Sequence, residues 1–323
     1  MKRPYFGITG VTDTDHVAAI MSHVNNYPTK FGPYQIMIGV LANYDTICGR
    51  QCTRYPKRYP EPARSGRLFP NSTDTLNLYH YNTPNQDFYN ELEKLIHFGG
   101  ENLDGFQLNI AWPDPRVLQR FREQGNKQTI VQQVGGKAFD RVDNDPAKLV
   151  AKIKVEYLDL VDYILLDPSD GQGREMNVET QRKYLSALYN SGLNENVMIG
   201  VAGGISPYNQ IEVIVPLAQD FANLSFDTEG SIRDKKTDEL LFTETTKLLG
   251  NFHSNVINPI IKPIICDGCN VNEPFEHRCH GEGRIMVRGD VIDGACECTT
   301  CVSPETDENY LAWVAAGMPK EWF

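Results

Sequence analysis

Two aspartates stand where a carboxyl group can exchange a proton with a bound molecule. Asp167 closes the apolar run Ile164-Leu165-Leu166, and Asp227 closes a strand-like stretch at 223–227. A carboxyl at the end of an apolar strand loses part of its hydration, which lifts its pKa toward neutrality and suits it to general acid or base work. Asp167 is the leading candidate, with a turn-capping carboxylate as its plain structural alternative. Asp227 would assist, either as a base or by accepting from ribose hydroxyls. Glycine-rich loops follow. Gly171, Gly173 and Arg174 come after Asp167, Gly203 and Gly204 after Ala202, and Gly230 and Ser231 after Asp227. Glycine lets backbone N–H groups approach a ligand closely, so these residues are candidate contacts for the anionic end of a small substrate. One such loop alone would read as a tight turn; three at equivalent places argue for a ligand site. Asp170 and Glu229 are weaker acid/base candidates. His80 ends another strand-like run, although a lone histidine is more often structural. Cys48 and Cys52 lie near Arg50 and Arg54, and neighbouring cations lower a thiol pKa; incidental reduced thiols are the simpler reading.

The other chemistry-bearing cluster is at the C-terminal end. Of eight cysteines, six fall between Cys266 and Cys301. Two Cys-x2-Cys pairs separated by a loop present four thiolates to one ion, as in a zinc ribbon. The simplest set is Cys266, Cys269, Cys298 and Cys301 around a structural zinc. Cys279, Cys296 and His280 are alternates or parts of a second site, and disulfides or an iron–sulfur cluster are rival readings. Residues 265–323 carry 11 acids and 4 bases, a balance of −7, which fits a structural clip or protein contact better than a nucleic-acid surface. The apolar tail, Tyr310-Leu311-Ala312-Trp313-Val314 with Trp322 and Phe323, suits docking on the chain's own body or on a second copy.

What would hold the aspartates together is an alternation of short apolar segments with longer ones of helical spacing. Strands are expected at 4–9, 34–42, 76–81, 105–110, 129–134, 161–166, 197–202 and 223–227. Helices are expected at 14–25, 85–98, 114–124, 145–160, 178–190, 209–217 and 238–251. Thr12 with Asp15 offers a capping pattern for the first. The segment 48–71 contains four prolines and no helical period, so the second helix is short, displaced or missing. Strands joined through helices must pair in parallel, and eight of them close a barrel. An open doubly wound sheet is the alternative. In such barrels chemistry gathers at the C-terminal strand ends, where the loops named above fall.

Five segments resemble motifs of the phosphoribosylanthranilate isomerase family: Phe6-Gly7-Ile8-Thr9, Gln107-Leu108-Asn109, Leu165-Leu166-Asp167, Gly171-Gln172-Gly173-Arg174 and Ala202-Gly203-Gly204-Ile205. They match in order and spacing over about residues 3–250. The resemblance implies a phosphate-binding (β/α)8 barrel with Asp167 as acid. It also marks a departure: the family's general base is a first-strand cysteine, and here that position is Phe6. Asp227 and Glu229 bracket Thr228 where the family has serine and glycine. Anthranilate isomerisation is therefore not expected.

Length and composition agree with this division into a barrel at 1–255 and a cysteine-rich module at 256–323. With 323 residues, 41% hydrophobic residues and a mean hydropathy of −0.40, the chain is an ordinary globular protein. No apolar run has the length of a membrane span, and residues 1–10 do not resemble a secretory signal, so a cytoplasmic location is expected. A net charge of −11 disfavours nucleic acid. The exception is 50–67, where Arg50, Arg54, Lys57, Arg58, Arg64 and Arg67 face one acid, Glu61. Three functional readings follow. The first is an isomerase- or lyase-like enzyme on a small phosphorylated or ribosylated metabolite or nucleotide. The second is a catalytically inactive sensor signalling through the zinc module, and the third a nucleic-acid enzyme using the basic loop.

Overall fold

The computed structural model describes residues 2–27, 30–53, 55–168 and 177–258, and the backbone of 282–287 and 290–295. The chain divides into two compact units, Met1–Ile257 and Asn258–Phe323. In the first, eight parallel strands close a barrel in sequence order: β1 Tyr5–Thr9, β2 Gln35–Asn43, β3 Thr75–Asn82, β4 Gly105–Leu108, β5 Thr129–Gly135, β6 Tyr163–Asp167, β7 Met198–Ala202 and β8 Ser225–Thr228. β1 pairs with both β2 and β8, with Gly7 opposite Met37 on one side and Asp227 on the other. Closure leaves no sheet edge and rules out the open-sheet alternative.

Helices return the chain between most strands: Thr14–Asn25, Tyr89–Gly99, Pro115–Glu123, Pro146–Lys152, Val178–Asn190, Gln210–Asp220 and Phe242–Phe252. Two run on as one π-type turn, Ile153–Tyr157 and His253–Ile257. The first helix is capped by Asp13, whose carboxylate accepts from the Asp15 N–H at 2.6 Å; Thr12 lies outside it. An aspartate at the N-cap satisfies an orphan N–H and meets the helix dipole. Between β2 and β3 the described residues form no full helix, only the short turns Tyr44–Ile47, Pro62–Ser65 and Gly66–Leu68. Prolines remove the donors and clash with the geometry a longer helix needs.

Strand side chains alternate between two cores. Phe6, Ile8, Ile36, Ile38, Tyr79 and Tyr81 face out and pack under the helices. Tyr5, Met37, Leu76, Leu78, Val131, Tyr163 and Leu165 fill the barrel interior. This is the period-two rule of a strand covered on both faces. Interior positions further along the same strands are polar, and there the apolar filling stops.

In the second unit, Glu282–Val287 and Asp290–Ala295 form an antiparallel hairpin. The cysteines proposed for zinc, Cys266, Cys269, Cys298 and Cys301, and the aromatic tail lie outside the described residues. No helix among the described residues is long and apolar enough to cross a membrane.

Candidate active site

Alternation decides which residues reach the mouth. Counting in steps of two from the interior core brings Thr9 on β1, His80 on β3, Gln107 on β4, Gln133 on β5, Asp167 on β6 and Asp227 on β8 to the C-terminal end. All six line one cavity of about 620 Å³. The two aspartates, 60 positions apart in the chain, are thus brought to a common site.

Asp227 is the electrostatic centre. It is 7% exposed. Thr9 Oγ1 donates to its Oδ1 at 2.6 Å, and Gln107 Nε2 donates to its Oδ2 at 3.3 Å. Burial pushes its pKa up to about 7, the two donated hydrogen bonds hold it back, and the charges of Glu229 and Asp167 add to the rise. Near neutral pH both protonation states are populated. Asp167 is 4% exposed and takes a hydrogen bond of 2.7 Å from Gln133 Nε2 on the neighbouring strand. His80 is buried, and burial alone pushes its pKa down to about 3, so the ring is neutral. Its Nε2 lies 3.5 Å from Thr9 Oγ1. Thr9 has one hydroxyl proton and gives it to Asp227, so the imidazole is the donor in that contact.

Gly39 makes the cluster sterically feasible. A Cβ there would stand 2.7 Å from His80 Nε2 and 2.8 Å from Thr9 Oγ1. Gly39→Ala is expected to cost about 1–3 kcal/mol by overpacking. It should also push the Thr9 hydroxyl off Asp227, raising that carboxyl's pKa further, because a bond favouring the charged form is lost. Denaturant titration and the carboxyl stretch followed against pH would measure both effects.

The roof is the irregular β2–β3 connection. Tyr55, Pro56, Lys57 and Arg58 line the cavity. Arg58 reaches Asp238 at 2.7 Å and Glu229 at 2.9 Å, and Lys57 reaches Glu239 at 2.8 Å. The Arg58 hydrogen bond holds the Asp238 carboxyl below the usual range. Arg50 pairs with Asp45, and Arg64 with Glu61. Among the described residues, four of the five cations in this segment, Arg50, Lys57, Arg58 and Arg64, are thus matched by acids, and the segment straps β2 to the loop after β8.

Gly203, Gly204, Gly230 and Ser231 also line the cavity. Gly203 and Gly204 have φ of 101° and 67°, a conformation that side chains resist. The Ser231 hydroxyl donates to the Ile205 carbonyl, as does Thr228 Oγ1 at 3.2 Å, so it ties the β7 and β8 loops together. Gly171, Gly173, Arg174, Asp170 and Arg54 lie outside the described residues. Cys48 and Cys52 are free thiols, and neither is among the residues lining the cavity. Among the described residues no group of three or more His, Cys, Asp or Glu side chains is arranged to hold a metal.

Phe6 does not face the mouth at all. Its ring packs outward on Phe252, with ring centroids 4.2 Å apart, and on Phe226. The β1 residue at the site is Thr9. Sequence reasoning passed over Thr9 and Gln133 as functional residues, cited Gln107 only as part of a motif, and weighed His80 as structural. The signal that could have found them is polar residues two apart from interior apolar ones, as in Leu76, Leu78, His80 and in Val131, Gln133. Comparison with protein-family models and with curated proteins finds no match to this sequence.

Proposed function

We propose that the barrel is an acid/base enzyme acting on a small phosphorylated or ribosylated metabolite, with isomerase- or lyase-type proton transfer and without anthranilate as substrate. The observation that carries this reading is a buried carboxyl, Asp227, held near pKa 7 in a cavity that also contains a second carboxylate. Pairs of carboxyls in unlike environments divide acid and base work between them. Ionised Asp227 takes a proton from the substrate and, once protonated, returns it at a neighbouring atom. Asp167, held by Gln133, exchanges the proton on a substrate oxygen so that charge does not accumulate. Neutral His80 fixes Thr9, and Thr9 fixes Asp227. The Gly203-Gly204 turn and Lys235, whose ammonium donates to the Gly230 carbonyl at 2.8 Å, rim the same cavity and suit the anionic end, with Arg174 as a further base from the sequence. Neighbouring Lys57 and Arg58 are engaged by acids, which leaves the basic segment little charge for nucleic acid. For the second unit, the spacing of Cys266, Cys269, Cys298 and Cys301 supports a structural zinc.

A native mass spectrum of the purified full chain tests the reading at its root. A retained small anionic metabolite is expected, together with the mass of zinc. With that metabolite as substrate, kcat/KM should rise about tenfold per pH unit up to about pH 7 and level above it, because Asp227 must be ionised to act as base. Asp167→Asn should lower kcat by about 10²-fold or more. A flat pH profile with Asp167→Asn fully active would sink the proposal.

A further inference from the structure

Beside the Asp227 cavity, the mouth opens over the C-terminal ends of β2 to β5 into a wider cavity of about 810 Å³. The two meet at Asn109 and Gln133, which line both. The acid/base reading makes no use of the wider space. Its charged lining residues are Asp45, Asp114, Lys137 and Arg141. Both acids are already neutralised by guanidinium groups that do not line the cavity: Arg50 reaches Asp45 at 2.6 Å, and Arg116 reaches Asp114 at 2.5 Å. The two bases have no acid of their own among the described residues. Lys137 is exposed and makes no ion pair there. Arg141 donates from Nη1 to the Ala111 carbonyl at 2.6 Å, a neutral acceptor that leaves its charge unmatched. In a chain whose net charge is −11, this concavity keeps both of its positive charges.

Local structure brings the pair together. β5 runs straight into a single helical turn, Gly136–Asp140, with Arg141 at its C-cap. Residues four apart on such a turn share a face, and the side chains of Lys137 and Arg141 line the same wall. The Ala111 carbonyl steadies the Arg141 guanidinium and leaves the rest of its planar donor fork for a ligand. A concave wall concentrates the field of unmatched charges on whatever enters, so the complementary occupant is an anion. Neither residue belongs to the segments that resemble the isomerase family.

We infer that Lys137 and Arg141 form an anion subsite and that the barrel's ligand is charged at both ends. One anionic group lies by the Gly203-Gly204 turn and Lys235. The second, a phosphate or a carboxylate, lies on the Lys137–Arg141 pair. A hydroxyl-bearing stretch passes Asn109 and Gln133 between them, where carboxamides both donate and accept. The cation pair stands on its own charges, whereas the first end of this ligand rests on the acid/base reading.

The test is a calorimetric titration of the full chain with ribose 5-phosphate, ribulose 1,5-bisphosphate and 6-phosphogluconate. At least one of the two doubly charged probes should bind about tenfold or more tightly than ribose 5-phosphate, the increment of one charge-assisted contact. Tighter binding of the bisphosphate assigns the second group as phosphate, and tighter binding of 6-phosphogluconate assigns it as carboxylate. Lys137→Gln should remove most of that increment and leave ribose 5-phosphate affinity unchanged. Arg141→Gln should do the same, and if losing the Ala111 contact unfolds it, exposed Lys137 carries the test alone. No binding of either doubly charged probe, affinities equal to that of ribose 5-phosphate, an increment that survives Lys137→Gln, or an equal weakening of all three probes would overturn the subsite. None of these results bears on Asp227, whose role is judged by the pH profile, so the two ideas fail separately.

Discussion

Asp227→Asn is expected to remove turnover and, at the same time, to make the protein more stable in mildly alkaline solution. A general acid or base contributes about 10²–10⁴-fold to rate, and an amide cannot exchange the proton. The stability effect follows from linkage. The carboxyl titrates at about 7 in the folded chain against 3.8 as the ordinary value. Between those limits the folded state holds a proton that the unfolded state has released, so stability falls as pH rises through the window and stays low above pH 7. At about 1.4 kcal/mol per pH unit, the ionised group costs the fold on the order of 4 kcal/mol. Asparagine removes that cost. It still accepts from Thr9, and the Gln107 amide, whose Oε1 has no partner among the described residues, can turn to accept from the new N–H. Urea midpoints at pH 5 and pH 8 are the measurement. The variant should gain on the natural chain at pH 8 and by much less at pH 5. Equal differences at both pH values would show that Asp227 titrates in the ordinary carboxylate range.

Phe6→Ala should be among the most damaging single changes in the barrel wall and should leave the chemistry of the surviving folded molecules intact. Phe6 is fully buried between Phe226 and Phe252. Truncating a buried phenylalanine loses its transfer energy and leaves a cavity, together about 3–5 kcal/mol. The same geometry makes Phe6→Cys uninformative as a repair: a thiol there would sit under the Phe242–Phe252 helix and not at the mouth. The expected result is a midpoint lowered by a comparable amount for both variants, with kcat near that of the natural chain at a temperature where they remain folded. A new pH-dependent activity in Phe6→Cys would contradict the outward orientation of this side chain.

The architecture was readable because the strands announce themselves. The segments 129–134 and 161–166 are apolar and β-branched or aromatic enough to be buried on both faces, and they lie close to the observed Thr129–Gly135 and Tyr163–Asp167. The site was readable only in part. Asp167 and Asp227 could be named because each follows apolar sequence and precedes a glycine loop. Their relative importance could not, since the rise at Asp227 depends on burial beside β1, a neighbour that exists only once the barrel has closed. Thr9 looks like any β-branched strand residue until its partner is known. The basic run at 50–67 reads in sequence either as a solvated loop or as a patch for an anionic ligand, because charges in a sequence do not announce their partners. Arg58 finds Asp238 and Glu229 only through the fold.

The reach of these contacts along the chain has a kinetic meaning. Thr9 and Asp227 are 218 positions apart, and Arg58 and Asp238 are 180 apart. Contacts so distant in sequence are costly to form early, because the entropy of closing the intervening loop is lost before anything is gained. The seam between the first and last strands is therefore expected to close late in assembly. A full-length chain whose barrel is not yet closed leaves Asp227 in water as an ordinary ionised carboxylate, and the raised pKa that burial gives it arrives only with closure of the last strand on the first.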